Sequence, residues 1–156
     1  MKLSDVTMLY LENMEYITYD QFKKMDIRIG TIREIEPVEG TDKLLRCQID
    51  FGIKKSALDV LPETDSVLTE EELAKLGGQE GIVEDRDIRQ IISGIKEYYP
   101  DYESLIGKQV LYVVNLEPRE IKGYVSHGML MAVDGREGQP VFLVPDEPVE
   151  PGSKVR

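Results

Sequence analysis

The feature that most constrains the fold of this chain is a segment in which apolar residues recur at every second position. Residues 27–35 place Ile27, Ile29 and Ile35 in one phase of this alternation. A period of two is typical of a β-strand that buries one face. Gly30 lies within the segment, where a glycine favours a bend or a bulge. The pattern therefore predicts a long strand with an irregularity at Gly30.

Shorter segments of strand character follow along the chain, and glycine or proline turns separate them. The predicted strands cover residues 44–51, 88–92, 110–114, 128–133 and 141–144. Short helices are predicted after a Thr18 cap and over residues 101–107, where Gly107 can end the helix. Short strands of this spacing are typical of a sandwich or a small barrel. At 156 residues the chain is therefore predicted to be one all-β domain.

An acidic segment interrupts this pattern of strands. Residues 53–88 carry ten acidic and four basic side chains, a net charge of −6 within a chain of net charge −11. Thr69 and Glu72 have the spacing of a capping box, and Gly77 can end the helix that they begin. We therefore expect a short helix inside an insertion over residues 53–86. Residues 1–16 are predicted to form an N-terminal extension.

Catalytic and metal-binding chemistry has little support in this composition. The chain has one histidine, His127, and one cysteine, Cys47, whereas metal sites and catalytic triads combine several such side chains. Gly107-Lys108-Gln109 lacks the serine or threonine of a phosphate-binding loop. The carboxylates form no recognisable acid–base pair and are typical of a solvated face. The sequence therefore predicts no catalytic residue, no metal and no cofactor, with Cys47 as an inward or half-buried strand thiol.

The chain also lacks the signals of membrane insertion and export. It has no apolar run of about 18 residues, which a membrane-spanning helix would need. Its N-terminus, Met1-Lys2-Leu3-Ser4-Asp5, has neither the basic start nor the apolar core of a signal peptide. We therefore predict a cytoplasmic protein without a membrane partner.

The distribution of charge bears on nucleic-acid partners. A net charge of −11 argues at first against RNA or DNA, because phosphates attract positive surfaces. However, residues 89–130 hold five acidic and five basic side chains, and residues 17–52 have a net charge of −1. The acidity is concentrated in one segment, so the rest of the chain can still present a local basic face.

Several motifs in a fixed order resemble those of a known family. They are Phe22-Lys23-Lys24-Met25-Asp26-Ile27-Arg28-Ile29-Gly30, Thr41-Asp42-Lys43-Leu44-Leu45, Ile92-Ser93-Gly94-Ile95, Leu105-Ile106-Gly107, Asn115-Leu116-Glu117-Pro118-Arg119, Gly123 and Ser126-His127-Gly128-Met129. Together they resemble the tRNA-binding domain of methionyl-tRNA synthetases, which occurs at the synthetase C-terminus or as a free-standing β subunit. They are also similar to motifs of stand-alone tRNA-binding proteins, synthetase-complex cofactors and a dimeric export-related chaperone. The resemblance covers residues 17–52 and 87–156.

This resemblance implies both a fold and a function. The implied fold is an OB-fold, a five-stranded Greek-key barrel, over residues 17–156. The implied function is a non-catalytic tRNA-binding module that assists the methionyl-tRNA synthetase catalytic chain in cis or in trans. The family commonly forms homodimers through elements near the two ends of the domain. The alternative is a chaperone-like or docking module of the same fold, with the acidic insertion and the N-terminal extension as its contact surfaces.

The resemblance also implies a set of RNA-binding residues. Four positions match the binding pattern of the family, and three basic residues are candidate neighbours: Asn115, Arg119, Ser126 and Met129, with Lys43, Arg89 and Lys122. The amide and the hydroxyl can address base edges and 2′-hydroxyls, and the guanidinium suits phosphate or base stacking. The thioether offers a base an apolar platform. Relatives commonly carry a basic residue where this chain has Glu120, and they compress residues 53–88 to a few residues.

Each of the four matched residues also has a purely structural interpretation. Asn115 can begin a turn, Ser126 can fix a loop through the backbone, and Met129 can lie in the core. Arg119 can be an ordinary exposed charge. The joint spacing of the motifs favours the RNA-binding interpretation over these alternatives.

Overall fold

A computed structural model describes residues 14–54 and 85–156, and this part of the chain is built almost entirely of β-strands. The strands, in chain order, are β1 (Ile27–Pro37), β2 (Leu45–Ile53), β3 (Arg86–Ser93), β4 (Gln109–Val113), β5 (Arg119–Ile121), β6 (Tyr124–Ser126), β7 (Met129–Leu130), β8 (Ala132–Asp134) and β9 (Pro140–Phe142). The helical elements of the described part are α1 (Tyr19–Lys23) and one turn of 3-10 helix (Tyr102–Leu105). The all-β class predicted from the sequence is confirmed.

Five strands form one antiparallel sheet in the order β3-β2-β1-β4-β7. The sheet curls until its edge strand β3 meets the segment that follows β6, where the His127 N–H donates to the Gln90 carbonyl at 2.9 Å. This curled sheet is the OB-like barrel that the sequence predicted. The pairs β5–β6 and β8–β9 form separate two-stranded sheets.

The core lies inside the curled sheet and is formed by one face of each long strand. Leu45, Ile49 and Ile91 are fully buried there, and the ring of Tyr112 meets the ring of Phe51 edge to face with centroids 5.5 Å apart. Cys47 lies in the same cluster, as predicted for a strand thiol. Burial raises the pKa of the Cys47 thiol to about 12, so the group stays neutral.

The irregularity predicted at Gly30 lies elsewhere in β1. Gly30 stays in register opposite Val110, and the pairing with β2 shifts between Ile32 and Glu34 instead. Gly30 is required for a different reason, because a Cβ at this position would overlap the side chains of Ile49 and Phe51. The prediction of a bulge at Gly30 was therefore wrong, and the glycine marks close packing inside the barrel.

Two features of the second half of the chain differ from the strand pattern predicted for it. The hairpin β5–β6 was not predicted; its turn places Lys122 and Gly123 at φ 52° and 83°, the positive values typical of a two-residue hairpin turn. The strand predicted over residues 128–133 is divided into β7 and β8, because β7 pairs with β4 whereas β8 pairs with β9.

The ends of β2 and β3 are held together at the acidic segment. Ile53 pairs with Arg86, and beyond this pair the Lys54 N–H donates to the Asp85 carbonyl at 2.7 Å. The Lys54 ammonium also lies 2.9 Å from the Asp85 carboxylate. The predicted capping box at Thr69 and Glu72 lies outside the described residues, as does most of the predicted N-terminal extension.

The two ends of the described chain run beside β1. Helix α1 begins with the predicted Thr18 cap, whose hydroxyl accepts from the Gln21 N–H at 3.1 Å while the Gln21 side chain accepts from Thr18 N–H at 2.6 Å. At the other end, Val155 N–H donates to the Ile27 carbonyl at 2.9 Å. The first helix and the C-terminal segment therefore lie on the same side of the barrel.

Candidate functional site

An open groove of about 570 Å³ lies beside strand β3. We call it the β3 groove. It is lined by residues of β2, β3 and the segments after β4 and after β6, namely Gln48, Ile88, Arg89, Gln90, Val114, Leu116, Pro118 and His127. Two of the lining side chains, Ile88 and Leu116, are exposed apolar groups beside amide and imidazole groups. Such a surface can give a base both apolar contact and hydrogen bonds.

Arg89 lies in the groove but is held by the protein itself. Its guanidinium forms a bidentate pair with Asp87 at 2.8 and 2.7 Å and donates to the Val114 carbonyl at 2.7 Å. It also lies over the Phe51 ring, 5.5 Å from the centroid. The hydrogen bonds from Arg89 hold the pKa of Asp87 below its usual value, so the pair stays ionised. Arg89 therefore shapes the groove with a compensated charge.

Asn115, the first matched position, bridges two parts of the backbone. Its amide oxygen accepts from the Asp26 N–H at 2.8 Å, and its amide nitrogen donates to the Lys24 carbonyl at 2.6 Å. These bonds fix the connection between α1 and β1 to the end of β4. The side chain is thus occupied on both functional groups, and direct RNA contact by Asn115 stays a prediction.

Ser126 is also engaged within the fold. The residue is 5% exposed, and its hydroxyl accepts from the Ile92 N–H and donates to the Gly128 carbonyl, both at 3.1 Å. It therefore fixes the end of β6 to the edge of β3, where the barrel closes. This geometry agrees with the structural interpretation of Ser126 and leaves its role toward RNA a prediction.

Met129 and the candidate cations lie on the surface. Met129 is 51% exposed, so it lies outside the core and can meet a ligand. Arg119, Lys122 and Lys43 are exposed as well. Within residues 14–54 and 85–156, no carboxylate forms an ion pair with any of these three cations. Their charges are therefore uncompensated in the described part of the chain.

The hairpin separates Arg119 from the acidic residue that follows it. Arg119 pairs across the hairpin with Ser126, whereas Glu120 pairs with Val125. Because paired residues share a face and successive residues alternate, Glu120 lies on the face opposite Arg119. The Glu120 carboxylate, which replaces the basic residue common in relatives, therefore lies on one face of the hairpin. Arg119 and Ser126 lie on the opposite face, which is turned toward β3.

Three further residues near the site were missed from the sequence. The Arg46 guanidinium lies over the Tyr124 ring, 5.3 Å from its centroid, and pairs with Glu36. The Lys96 N–H donates to the Lys43 carbonyl at 3.1 Å, which brings these two lysines together. Arg46 shares the outward phase of β2 with Gln48, a signal that was available, but its contact with Tyr124 depends on the unpredicted hairpin.

Among the residues that the structure describes, no cluster of three or more histidine, cysteine or acidic side chains could hold a metal ion. In the same part of the chain, no helix is long and apolar enough to cross a membrane.

Comparison with known proteins identifies the family. Residues 78–154 match the family model described as "Putative tRNA binding domain". Residues 78–154 of the chain therefore belong to the tRNA-binding domain family. The matched region of the domain contains β3, the hairpin β5–β6 and nearly all of the β3 groove. The resemblance drawn from the ordered motifs is thereby confirmed.

The proteins similar to this chain include a methionine–tRNA ligase, a MetRS-related protein and a CsaA chaperone protein. A methionine–tRNA ligase of Parabacteroides distasonis is 34% identical over 142 residues, which are 91% of this chain and 16% of the ligase. Among solved structures, a MetRS-related protein from Pyrococcus horikoshii has a TM-score of 0.65 and 26% identity, covering 92% of this chain and 100% of that one. A CsaA chaperone protein from Picrophilus torridus has a TM-score of 0.61 and 26% identity, covering 90% and 100%. The domain thus spans about one sixth of the ligase but the full length of both solved chains.

Proposed function

We propose that the domain is a non-catalytic, cytoplasmic tRNA-binding module that assists methionyl-tRNA synthetase in cis or in trans. The observation that carries this proposal is the position of the uncompensated cations Arg119 and Lys122 on a hairpin next to the β3 groove. The groove offers bases a partly apolar surface, and the cations offer phosphates their charge. Family membership independently supports tRNA as the ligand.

Binding by this domain depends on few charges. The net charge of −11 repels a polyanion at long range, so affinity comes from placed residues at short range. Each phosphate neutralised contributes a slope of about −0.7 to −0.9 in a plot of log affinity against log salt concentration. We expect a shallow salt dependence, which corresponds to two or three such contacts from Arg119, Lys122 and Lys43.

A direct binding measurement tests the proposal. Fluorescence anisotropy with labelled tRNA at about 50 mM salt, where phosphate contacts are strong, should give saturable binding at micromolar protein. A DNA duplex of equal length serves as the control, because it carries the phosphates without the unpaired bases and 2′-hydroxyls of tRNA. The absence of any tRNA complex under these conditions would overturn the proposal.

The assisting role has a separate test in aminoacylation kinetics. Adding the domain, free or fused, to a synthetase catalytic chain should lower KM for tRNA and leave kcat unchanged, because the domain adds binding without chemistry. The 34% identity to a methionine–tRNA ligase supports this choice of partner. An Arg119→Ala domain is the control and should lower KM less. A KM unchanged by the intact domain would contradict the assisting role.

We also propose that the domain forms a homodimer through the side that carries α1 and the C-terminal segment. An apolar cleft of about 310 Å³ lies there between α1 and the C-terminal segment. Four exposed apolar side chains line it, namely Tyr19, Phe22, Met25 and Val155, and the exposed Tyr16 and Ile17 precede α1 in the chain. Lys23, Lys154 and Arg156 also line the cleft, and an exposed apolar patch with a polar rim is typical of a protein interface. A second copy of the chain is the proposed occupant, because both ends of the domain contribute to the surface.

Sedimentation velocity tests the homodimer. The wild-type domain should sediment as a dimer, and Phe22→Asp should shift it to the monomer because a charge would be buried in the interface. Val133→Asp, which charges an exposed valine of β8, is the control and should leave the dimer intact. A wild-type monomer at high micromolar concentration would refute the proposed assembly.

A chaperone-like or docking function is the second candidate, and the likeness to a CsaA chaperone protein favours it. Deleting residues 57–84 distinguishes the two functions. If the domain docks on a protein through this segment, the deletion should abolish partner binding and leave tRNA binding intact or improved. If tRNA binding is the function, the deletion should leave synthetase assistance in place.

A further inference from the structure

The hairpin β5–β6 lies outside the main sheet, although it carries Arg119 and Lys122. Its two strands pair with each other and form a sheet of their own. An isolated two-stranded hairpin is marginally stable in water, so contacts with the barrel must fix its position. These contacts determine how rigidly the hairpin holds Arg119 and Lys122 in position for a ligand.

Hydrogen bonds between side chains and backbone hold the base of the hairpin to β3. Besides the bond from Ile92 N–H to the Ser126 hydroxyl, the Gln90 amide donates to the Val125 carbonyl at 2.9 Å. Both bonds hold the end of β6 that lies farthest from the turn. They leave the turn end, with Lys122 and Gly123, to be held by something else.

Tyr124 is the residue that immediately follows the turn, and its ring lies against Arg46 of β2. Arg46 is itself held, because it pairs with Glu36 on the neighbouring strand β1. The guanidinium side chain is 34% exposed, so a large part of it is removed from water. A planar guanidinium stacks on an aromatic face more favourably than an ammonium does.

Resting on the proposed function, we infer that the Arg46–Tyr124 contact is a positioning contact for RNA binding. It fixes the turn end of the hairpin to the barrel wall, so that Arg119 is presented beside the β3 groove in a single arrangement. Tyr124 and Arg119 lie on the same face of the hairpin. Tyr124 pairs with Ile121, and Ile121 shares a face with Arg119 because the two are two residues apart on β5. If the contact is lost, the Arg119 side chain is still present, but the hairpin that carries it can move relative to the barrel.

A double-mutant cycle on tRNA affinity tests this inference. Tyr124→Ala should weaken binding about three- to tenfold, in line with the strength of a partly desolvated cation–π contact, whereas Tyr124→Phe should stay within about twofold because the ring is kept. In an Arg119→Ala background, Tyr124→Ala should cost less than about twofold, because its effect passes through Arg119. Equal effects of Tyr124→Ala in both backgrounds would overturn the positioning role.

Arg46→Lys provides a second route to the same contact. It keeps the positive charge beside Glu36 but loses the planar group, so it should weaken tRNA binding about as much as Tyr124→Ala. Thermal unfolding of each variant serves as the folding control. If the wild-type domain binds no tRNA, the proposed function fails; if it binds and Tyr124→Ala is unchanged, the positioning inference alone fails.

Discussion

The arginines of the barrel wall and the cations of the hairpin side differ in what surrounds them. Arg28 donates two hydrogen bonds to Asp26, and Arg89 does the same to Asp87. Arg33 and Arg86 both donate to the Asp50 carboxylate. On the hairpin side, Arg119 and Lys122 meet no carboxylate among the residues that the structure describes. The wall cations are therefore engaged in holding the fold, and the hairpin cations are available to a ligand.

This difference explains how an acidic domain can bind RNA. Counting charges over the whole chain predicts repulsion of phosphates, and counting only the basic residues predicts a broad site. The geometry separates the two groups, because a cation that already has a carboxylate partner gives little net attraction to a phosphate. Under the proposed function, we therefore expect the tRNA affinity of this domain to depend on a small number of uncompensated groups.

The largest expected effect comes from breaking a wall contact. The Asp50 carboxylate is fully buried and accepts from Arg33 at 2.8 and 2.6 Å and from Arg86 at 3.0 Å. Asp50→Asn should lower the free energy of unfolding by about 2–4 kcal/mol, because two arginines would lose their anion and part of their charge would stay buried.

Urea denaturation measures this change. Asp20→Asn is the matched control, since Asp20 lies on the surface of α1 and its pair with Lys23 is exposed. The control should be indistinguishable from wild type. An Asp50→Asn protein with the unfolding free energy of wild type would show that the ion pairs of Arg33 and Arg86 with Asp50 do not stabilise the fold.

The next effect concerns the hairpin. Arg119→Ala should weaken tRNA binding by about 1–3 kcal/mol if the guanidinium meets phosphate or base, and it should leave the unfolding free energy unchanged. Arg136→Ala is the control, because Arg136 is also an exposed arginine but lies between β8 and β9. Equal tRNA affinities of the two variants would remove Arg119 from the site.

We expect acid to weaken the ion pairs between the barrel arginines and their carboxylates, whereas Arg119 and Lys122 have no such pair to lose in the described part of the chain. Hydrogen bonds from Arg28 and Arg89 hold the pKa of Asp26 and of Asp87 below their usual values. For Asp50, burial raises the pKa, but hydrogen bonds from Arg86, Gly52 N–H and Arg33 outweigh it and lower the value. Since a lowered folded-state pKa stabilises the fold above the unfolded-state pKa of about 3.9, this stabilisation is complete at neutral pH and is lost as the pH falls through the folded-state values.

Unfolding free energies between about pH 2 and pH 7, a range that brackets the carboxylate pKa values, check this expectation. Asp87→Asn should flatten the acid limb of the curve relative to wild type, because one of the linked carboxylates is gone. An acid limb of unchanged steepness would show that the Asp87–Arg89 pair does not contribute to the pH dependence.

The smallest expected effect is on the salt dependence of binding. Lys122→Ala should reduce the magnitude of the log–log salt slope by about 0.7 to 1, the contribution of one phosphate contact. Affinity at low salt should fall only slightly. A slope identical to that of wild type would show that Lys122, although uncompensated, does not contact the RNA backbone.

The regular part of the fold could be predicted because it depends on local patterns. Alternating isoleucines identified β1, a continuous apolar run identified β4, and Thr18 with Gln21 has the sequence of a helix cap. The hairpin β5–β6 escaped prediction because its strands have three residues each and its turn uses lysine rather than asparagine or a second glycine. Such a hairpin depends on its contacts with β3, and no local sequence pattern predicts these contacts.

The sequence named candidate residues for the site, but it could not show which contacts their side chains make in the folded protein. The ordered motifs pointed to Asn115 and Ser126, yet both side chains bond within the protein, which only the folded backbone could reveal. Met129 was predicted as a binding residue with the core as its structural alternative; the side chain is exposed, so the core alternative is wrong and RNA contact stays a prediction. Arg46 and Tyr124 meet across strands far apart in sequence, so their contact could not be inferred from spacing.

The junction between Lys54 and Asp85 has a consequence for how such domains diversify. Since the backbone is already joined at this point by the hydrogen bond between these two residues, strand register is set on the barrel side of the junction. Loop-closure entropy grows only slowly with length, so lineages can lengthen or shorten the sequence here at small energetic cost. The same tolerance makes the junction a natural position for grafting a fluorescent or affinity module that reports on RNA capture without altering the barrel.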